Sequence, residues 1–303
     1  MKKVVVSAPV AIFLAGEFGV EDGKPALLTA TSQRVQVTIS DVKSLADNYQ
    51  VTVNEIKKTR GYLQSALALI EKKYSISIEN LTVTIDANMP VNFNSPTVVV
   101  ATIAALTQYL GKPWSKEEIN VLAFAAQKKH INNTDSIDPT VISYGGLIWY
   151  RRESDFLISR WALNFKIPHS FSSFVLIDTQ KIKQAKKLTN LQAAKKETLS
   201  NHMEKITKAL IQAIHDENDN HFRLALKENQ HLLEKFEVIS KNEKALIHEI
   251  EQHQGVAKFS KPNWILTLHR NPQKIIAMAQ QHHLPSFPVQ LGGEGVKLEK
   301  MIL

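Results

Sequence analysis

The intermingling of helix-like and strand-like segments is the feature that most limits how this chain can fold. Residues 60–73 place apolar side chains at helical spacing, whereas residues 34–39 and 264–268 have the short apolar runs typical of strands. No regular strand–helix–strand repeat connects them, which favours an α+β fold over a parallel α/β sheet. Since 303 residues are many for one hydrophobic core, we expect two domains, 1–168 and 169–303.

The same patterns predict the other elements along the chain. Ser115 and Glu118 have the spacing of a capping box, which marks the start of a helix. Residues 76–86 indicate a strand, a turn and a second strand. The remaining predicted strands are 4–6, 147–150, 173–178 and one that begins at 295, and the remaining predicted helices are 98–110, 115–129, 190–216, 219–235, 241–254 and 272–281.

Composition excludes several classes of function. The chain has no cysteine, which rules out disulfides, thiolate metal sites and cysteine nucleophiles. No apolar run reaches the roughly 20 residues of a membrane-spanning helix, and the apolar run at the start is too short for a signal peptide. We therefore expect a cytoplasmic protein without a membrane partner.

The charge and the histidines favour a small-molecule partner. The net charge is +8 and the pI is about 9.4, but lysines alternate with glutamates, as is typical of solvated helix faces. We therefore expect no nucleic acid partner, while an anionic phosphate substrate would be attracted by the positive field. The eleven histidines include the pairs His282–His283 and His248–His253, neither of which has the spacing of a helical zinc site. We expect no metal ligands among them.

Several segments carry the motifs of the chain. Residues 136–141 are Ser-Ile-Asp-Pro-Thr-Val, and residues 144–146 are Tyr-Gly-Gly. Because an aspartate before a proline often starts a turn, one interpretation of Asp138 is a simple turn or helix cap. The accompanying segments are SAP at 7–9, GE at 16–17, GKPAL at 23–27, MP at 89–90, ATIAAL at 101–106, NQHLL at 229–233 and LGGEGV at 291–296.

In this order the segments resemble the GHMP kinase superfamily, and mevalonate kinases most of all. The resemblance extends over nearly the whole chain. It implies a two-domain α+β fold, with an N-terminal domain similar to domain 2 of ribosomal protein S5 and a ferredoxin-like C-terminal domain. It also implies phosphoryl transfer from ATP, with Mg²⁺, to the hydroxyl of mevalonate or a related isoprenoid precursor in the mevalonate pathway.

The resemblance assigns roles to individual residues. Asp138 falls on the aspartate that takes or orients the proton of the substrate hydroxyl, and Glu17 falls on a glutamate of the substrate pocket. The phosphate-binding loop of the family falls on residues 91–98. The nucleotide-binding candidates in that loop are Asn92, Asn94, Ser95 and Thr97.

The ATP-binding motifs are degraded relative to the family. The lysine of the first motif falls on Ala11, and the two magnesium ligands fall on Val98 and Gln127. An apolar side chain cannot bind Mg²⁺, and an amide is an uncharged ligand for a hard cation. The loop has lost its glycines, Phe93 adds bulk, and Pro96 has no N–H to offer a phosphate.

Two functions remain open after these substitutions. An active enzyme would use Asp138 and Glu17 on the acceptor side, with Lys258 or Lys261 as a substitute cation near the third glycine-rich motif, which falls on residues 256–264 without its glycines. The alternative is a non-catalytic pseudokinase that binds a ligand or a partner, as a homodimer or paired with another GHMP enzyme. A decarboxylase of the same superfamily would also need bound nucleotide phosphates.

Overall fold

The computed structural model describes residues 2–41, 49–90, 92–112, 114–130, 137–154, 157–171, 173–179, 193–260 and 263–302. Ser136 and Lys261, which the sequence analysis singles out, lie outside these ranges. The strands are β1 Lys3–Ala15, β2 Ala26–Ser40, β3 Tyr49–Thr52, β4 Thr82–Ala87, β5 Leu147–Arg152, β6 Ile158–Ala162, β7 Ser173–Asp178, β8 Val256–Ser260, β9 Trp264–His269, β10 Ser286–Val289 and β11 Lys297–Ile302. The helices are α1 Val53–Lys57, α2 Tyr62–Tyr74, α3 Pro96–Tyr109, α4 Lys116–His130, α5 Ile137–Tyr144, α6 Ala193–His215, α7 Asp219–Lys235, α8 Lys241–Gln252 and α9 Pro272–Gln281.

Most predicted elements are present, and one prediction is wrong. The strand–turn–strand over 76–86 is a single strand, β4, preceded by an irregular connection. That connection begins where Ser75 ends α2 in the left-handed region, at φ 52°, and Asn80 is also left-handed at φ 56°. In addition, the amide of Ile78 donates to Glu71 Oε1 at 2.8 Å instead of to a neighbouring strand. These local bonds replace the ladder that alternating apolar residues predicted.

The first of two compact units comprises Met1–Ala11, Ala30–Gly145 and Gly293–Leu303. Its sheet has the order β11-β1-β2-β4-β3, and the pairs β1–β11, β2–β4 and β3–β4 are antiparallel. Helices α2, α3 and α4 contribute apolar side chains to one core cluster with the strands. Residues 97–107 of α3 are all buried, so this helix is enclosed on every side and lies in the interior of the unit.

The second unit comprises Ile12–Thr29 and Gly146–Gly292. It contains an antiparallel four-stranded sheet of order β10-β7-β9-β8. Helix α7 packs against both α6 and β8, and α8 also packs against β8. A smaller part of the unit is formed where residues 26–29 of β2 pair with β5, which pairs with the hairpin strand β6.

The two units interleave along the chain, because β1 and β2 each contribute residues to both. The sequence analysis predicted two domains, 1–168 and 169–303, which divide the chain at one point. That division stays a prediction. Within the described part of the chain, none of the helices combines the length and the apolar character needed to span a bilayer.

Candidate functional site

Asp138 lies in the first turn of α5 and is half-buried. A carboxylate at this position is favoured by the helix dipole, and Pro139 is well suited to the first turn because its missing N–H needs no helical partner. The helix is joined to α4 by Thr140 Oγ1, which donates to Asn120 Oδ1 at 3.3 Å. The segment around Asp138 therefore forms the start of a helix that is hydrogen-bonded to α4.

Tyr62 is a neighbour of Asp138 that the sequence analysis missed. Its hydroxyl is buried and donates to the carbonyl of Ala123 at 3.0 Å. Burial, and then the negative charge of Asp138, raise the pKa of the Tyr62 phenol well above its usual value. The phenol therefore stays protonated beside the carboxylate. Only the start of a helical pattern marks residue 62 in the sequence, and that pattern carries no sign of a partner 76 positions away.

Gln127, at the position of a family magnesium ligand, follows Ala123 by about one turn of α4. It is 6% exposed, and no described residue bonds its Oε1 atom. Val98, at the other ligand position, is completely buried and apolar. Among the described residues no group of three or more histidine, cysteine, aspartate or glutamate side chains is placed to hold a metal ion. These residues do not fit the magnesium site that the resemblance implies.

The residues at the phosphate-loop position bond mainly to one another and to helix ends. Asn92 Oδ1 accepts a hydrogen bond from the backbone amide of Asn94 at 2.8 Å. The backbone carbonyl of Asn92 accepts a second one from the amide of Ser95, also at 2.8 Å. Ser95 is the N-cap of α3, with its hydroxyl 3.4 Å from the amide of Val98. The loop's own oxygens thus take up amides that a phosphate would otherwise bind.

Two side chains extend these bonds to neighbouring elements of the first unit. Asn94 Oδ1 accepts from the amide of Leu63 at 3.2 Å, which caps the start of α2 where Gly61 has no capping side chain. Thr97 is buried, and its Oγ1 donates to the carbonyl of Pro9 at 3.3 Å. The four nucleotide-binding candidates therefore lie together. Their role in nucleotide binding stays a prediction.

Glu17 lies in the second unit, directly after β1. Gly16 precedes it at φ 87°, and a Cβ at Gly16 would come within 2.5 Å of the Cα of Ala26, so this position requires glycine. The amide of Gly19 bonds to the carbonyl of Gly16 at 3.1 Å and closes a turn around Glu17. The Glu17 side chain is completely buried.

Lys258 on β8 is completely buried and is paired with Glu17. Its ammonium donates to Glu17 Oε1, to the carbonyl of Phe13 at 3.1 Å and to the carbonyl of Phe259 at 2.8 Å. Ser260, two residues along β8, accepts from the amide of Phe13 at 2.9 Å. Burial lowers the pKa of Lys258 well below its usual value, whereas the adjacent carboxylate favours the charged ammonium.

The structure thus forms two groups from the predicted residues. In the first unit, Asp138 lies near Tyr62, and the loop with Asn94 caps the helix on which Tyr62 lies. In the second unit, Lys258 holds Glu17. Of the two lysines proposed as substitute cations, Lys258 therefore has all three of its N–H donors in use. The assignment of Glu17 to a substrate pocket stays a prediction.

Sequence comparison finds similarity to curated proteins over part of the chain. No family model matches. The chain is 28% identical over 174 residues to a mevalonate kinase of Pyrococcus furiosus and 29% identical over 175 residues to that of Pyrococcus horikoshii. A mevalonate kinase of Saccharolobus solfataricus is 26% identical over 162 residues. The first two matches cover 50% of this chain and 52% of each relative, so the matched region spans about half the length of these curated relatives.

Structural similarity extends over nearly the whole chain. The mevalonate kinase of Methanococcus jannaschii superposes with a TM-score of 0.74 at 17% identity, covering 95% of this chain and 98% of that one. A Lactococcus lactis galactokinase complexed with galactose gives 0.75 at 13% identity, with 97% and 95% covered. A heptose 1-phosphate kinase from Bacteroides thetaiotaomicron gives 0.75 at 17% identity, with 99% and 100% covered. The predicted α+β fold is confirmed by this similarity.

Proposed function

We propose that this chain, which has the fold of the GHMP kinases and resembles mevalonate kinases in sequence, is a small-molecule phosphotransferase. Its acceptor would be the hydroxyl of mevalonate or of a related isoprenoid precursor. The sequence similarity to mevalonate kinases supports the reaction class. One structure in the comparison is a Leishmania major mevalonate kinase in complex with R-mevalonate, with a TM-score of 0.73 at 17% identity.

The placement of Asp138 is the observation that carries the proposal. A general base must come within hydrogen-bond reach of the proton that it accepts. Asp138 is half-buried in the first turn of α5, so the helix fixes its position and the residue keeps some exposed surface. In this proposal the carboxylate accepts or orients the proton of the attacking hydroxyl, and the protonated phenol of Tyr62 lies beside it.

The donor side of the reaction is less complete than the acceptor side. ATP is the phosphoryl donor in this proposal, and the exposed Asn92 and Asn94 with Ser95 and Thr97 are the candidates for contacts with it. In this structure the side-chain oxygens of these residues are engaged within the protein. The loop therefore does not fit a phosphate cradle, the residues do not fit a magnesium site, and no step is assigned to either group.

Nucleotide binding tests the proposal directly. We expect heat on titration of ATP and Mg²⁺ into the pure protein by calorimetry, with larger heat when mevalonate is present, because a kinase holds both substrates together. A thermal shift with the same ligands is a second measurement on the same samples. No heat and no thermal shift at millimolar ATP would contradict a phosphotransferase.

A non-catalytic pseudokinase is the second candidate function. The internally bonded loop favours it, because Ser95 caps α3 and Asn94 caps α2 with no phosphate present. Such a protein would keep a ligand-binding or partner-binding surface and would transfer no phosphate. Turnover that is lost on Asp138→Asn, while the variant stays folded, contradicts this second candidate.

A further inference from the structure

A groove in the first unit lies at the C-terminal end of α5. Its volume is about 580 Å³, which is within the range of small-molecule sites. The lining residues include Gln108 of α3, Trp114 before α4, Lys116 at the start of α4, Tyr144 at the end of α5 and residues 294–298 before and in β11. All of them belong to one compact unit, so the groove is formed within that unit.

One part of the groove is apolar. Trp114, Val296 and Leu298 line it, and Leu298 is 40% exposed although it is a large hydrophobic residue. Trp114 packs partly against the core cluster, which holds it in place. Its indole Nε1 atom is buried, and no described residue bonds it. A buried N–H without an acceptor is costly. The groove thus combines an apolar wall with a donor that lacks an acceptor.

The charged residues of the groove leave one ammonium group weakly engaged. Lys297 pairs with Glu294 at 3.2 Å and with Glu299 at 3.6 Å. Lys116 is exposed, and its ammonium makes one long hydrogen bond, to the carbonyl of Tyr144 at 3.4 Å. Among the described residues no carboxylate lies within ion-pair distance of Lys116. Because an ammonium has three N–H donors, Lys116 can bind a further acceptor.

We infer that this groove is a second binding site, for a small amphipathic anion. The anionic head binds Lys116, and the apolar body packs against Trp114 and Leu298. The net charge of +8 favours the approach of such a ligand. An inorganic anion would leave the apolar wall exposed, and a neutral apolar compound would leave Lys116 without an acceptor, so neither uses the whole groove.

The groove is separate from the residues of the proposed function. Asp138 lies in the first turn of α5 and Tyr144 is its last residue, which places them about 9 Å apart along the helix axis. The groove also shares no lining residue with the loop at 92–98. The inference therefore does not rest on phosphoryl transfer, and its test needs neither ATP nor an acceptor alcohol.

Two dyes that differ in one charged group test the inference. The first is 1-anilinonaphthalene-8-sulfonate, which carries a sulfonate on an aromatic body, and the second is N-phenyl-1-naphthylamine, which lacks the sulfonate. Each is titrated into the whole wild-type chain, and dye fluorescence excited through tryptophan follows binding. We expect saturable binding of one sulfonate dye per chain, about fivefold tighter than the neutral dye, because an exposed ammonium adds a modest ionic contact.

Charge-reversal variants locate the anionic head. Lys116→Glu weakens binding of the sulfonate dye about tenfold, because attraction is replaced by repulsion, and it leaves binding of the neutral dye unchanged. Lys129→Glu is the matched control. Lys129 is also exposed on α4, about 20 Å along the helix axis from Lys116, and its reversal changes the net charge equally. This control keeps the wild-type affinity for both dyes.

A third variant tests the apolar wall. Leu298→Asp places a charge against the body of either dye and weakens both about tenfold. Because Leu298 is partly exposed, the variant is expected to fold, and urea unfolding curves verify this for each protein. Unchanged binding of both dyes to the folded variant would show that they do not occupy the groove.

Three further results overturn the inference. One is a wild-type chain that shows no saturable binding of the sulfonate dye. Another is equal wild-type affinity for the two dyes, which indicates an apolar surface only. The third is equal affinity of Lys116→Glu and Lys129→Glu for the sulfonate dye. Failure of the proposed function has a different signature, since a chain that transfers no phosphate but binds the sulfonate dye through Lys116 loses the kinase activity and keeps the groove.

Discussion

Asp138 and Tyr62 show how a residue without a motif becomes part of a candidate site. The aspartate is recognisable in the sequence because its neighbours resemble a known segment. The tyrosine becomes visible only when α2 and α4 place its hydroxyl on the carbonyl of Ala123, close enough to Asp138 for the carboxylate to affect its ionisation. The charge of Asp138 should therefore affect the pKa of Tyr62.

Alkaline titration tests this proximity. Because burial and the charge of Asp138 both raise the pKa of Tyr62, Asp138→Asn lowers that pKa while leaving the contribution of burial. Ultraviolet difference spectra follow the phenolate, and Tyr62→Phe identifies its signal. Tyr74 is the internal control: burial and Glu118 raise its pKa to about 12, and Asp138→Asn leaves it unchanged. A Tyr62 titration that is insensitive to Asp138→Asn contradicts the proximity.

Tyr62 also predicts how stability depends on pH. The unfolded chain loses the phenolic proton at its ordinary pKa of about 10, whereas the folded chain holds it to higher pH. The contribution of Tyr62 to stability is therefore fully present below about pH 10, and it is lost as the pH rises beyond that value, which lowers the free energy of unfolding. We expect urea denaturation across this pH range to show a smaller fall in the free energy of unfolding for Tyr62→Phe than for the wild type. An equal decline in both proteins rules out this contribution.

At the scale of elements, the loop before α3 serves as a set of helix caps. Asn94 supplies the side chain that Gly61 lacks at the start of α2, and Ser95 caps α3 itself. We predict that Asn94→Ala lowers the free energy of unfolding by about 1 kcal/mol, the usual cost of a lost cap. Asn54→Ala, at an exposed position within α1, is the control and costs nothing measurable. Equal effects in urea denaturation would show that Asn94 is not a cap.

A second element-level feature is the close approach of α5 to the segment before β11. The amide of Val296 donates to the carbonyl of Ile142 at 2.8 Å, and a side chain at Gly145 would collide with the backbone of Gly295. Gly145 has φ 78°. Glycine at positions 145 and 295 allows the two backbones to touch, which explains why the first glycine of Tyr-Gly-Gly follows the aspartate segment.

Two glycine variants separate crowding from backbone strain. Gly111 has φ 64° with no atom near an added Cβ, so Gly111→Ala costs about 1 kcal/mol from its left-handed backbone alone. Gly145→Ala has a similar φ and adds a backbone collision, so we expect a loss of about 3 kcal/mol or more in thermal or urea unfolding. Similar losses for the two variants would mean that the contact relaxes easily.

At the scale of the whole molecule, local sequence patterns predict helices and strands, but they do not predict contacts between residues that are far apart in the sequence. The helical spacing in residues 60–73 is confirmed, and so is the cap at Ser115, whose hydroxyl accepts from the amide of Glu118, since each depends on neighbours in sequence. The Glu118 carboxylate of the predicted capping box accepts from Lys73 and Tyr74. The pair of Glu17 and Lys258 is separated by 241 positions, and no local pattern reveals it. The strand β8 was likewise not predicted, because residues 256–264 were assigned only as the position of the third glycine-rich motif.

The similarity to known proteins likewise differs between the sequence and the fold. Sequence similarity covers half of the chain, while structural similarity covers 95% or more at 13–17% identity. Burial patterns are kept by many different sequences, so a fold persists after individual site residues have changed. The fold was therefore predictable from the sequence, whereas the hydrogen bonds within the loop at residues 92–98 needed the structure.

Transfer of labelled phosphate from ATP to mevalonate, measured for the wild-type chain and for Asp138→Asn, tests the central claim most directly. We predict transfer by the wild type and a loss of at least about a hundredfold in Asp138→Asn, the usual effect of removing a general base. Matched unfolding curves for the two proteins show that the loss is chemical. No transfer by the wild type at millimolar ATP, or equal transfer by both proteins, contradicts a phosphotransferase that acts through Asp138.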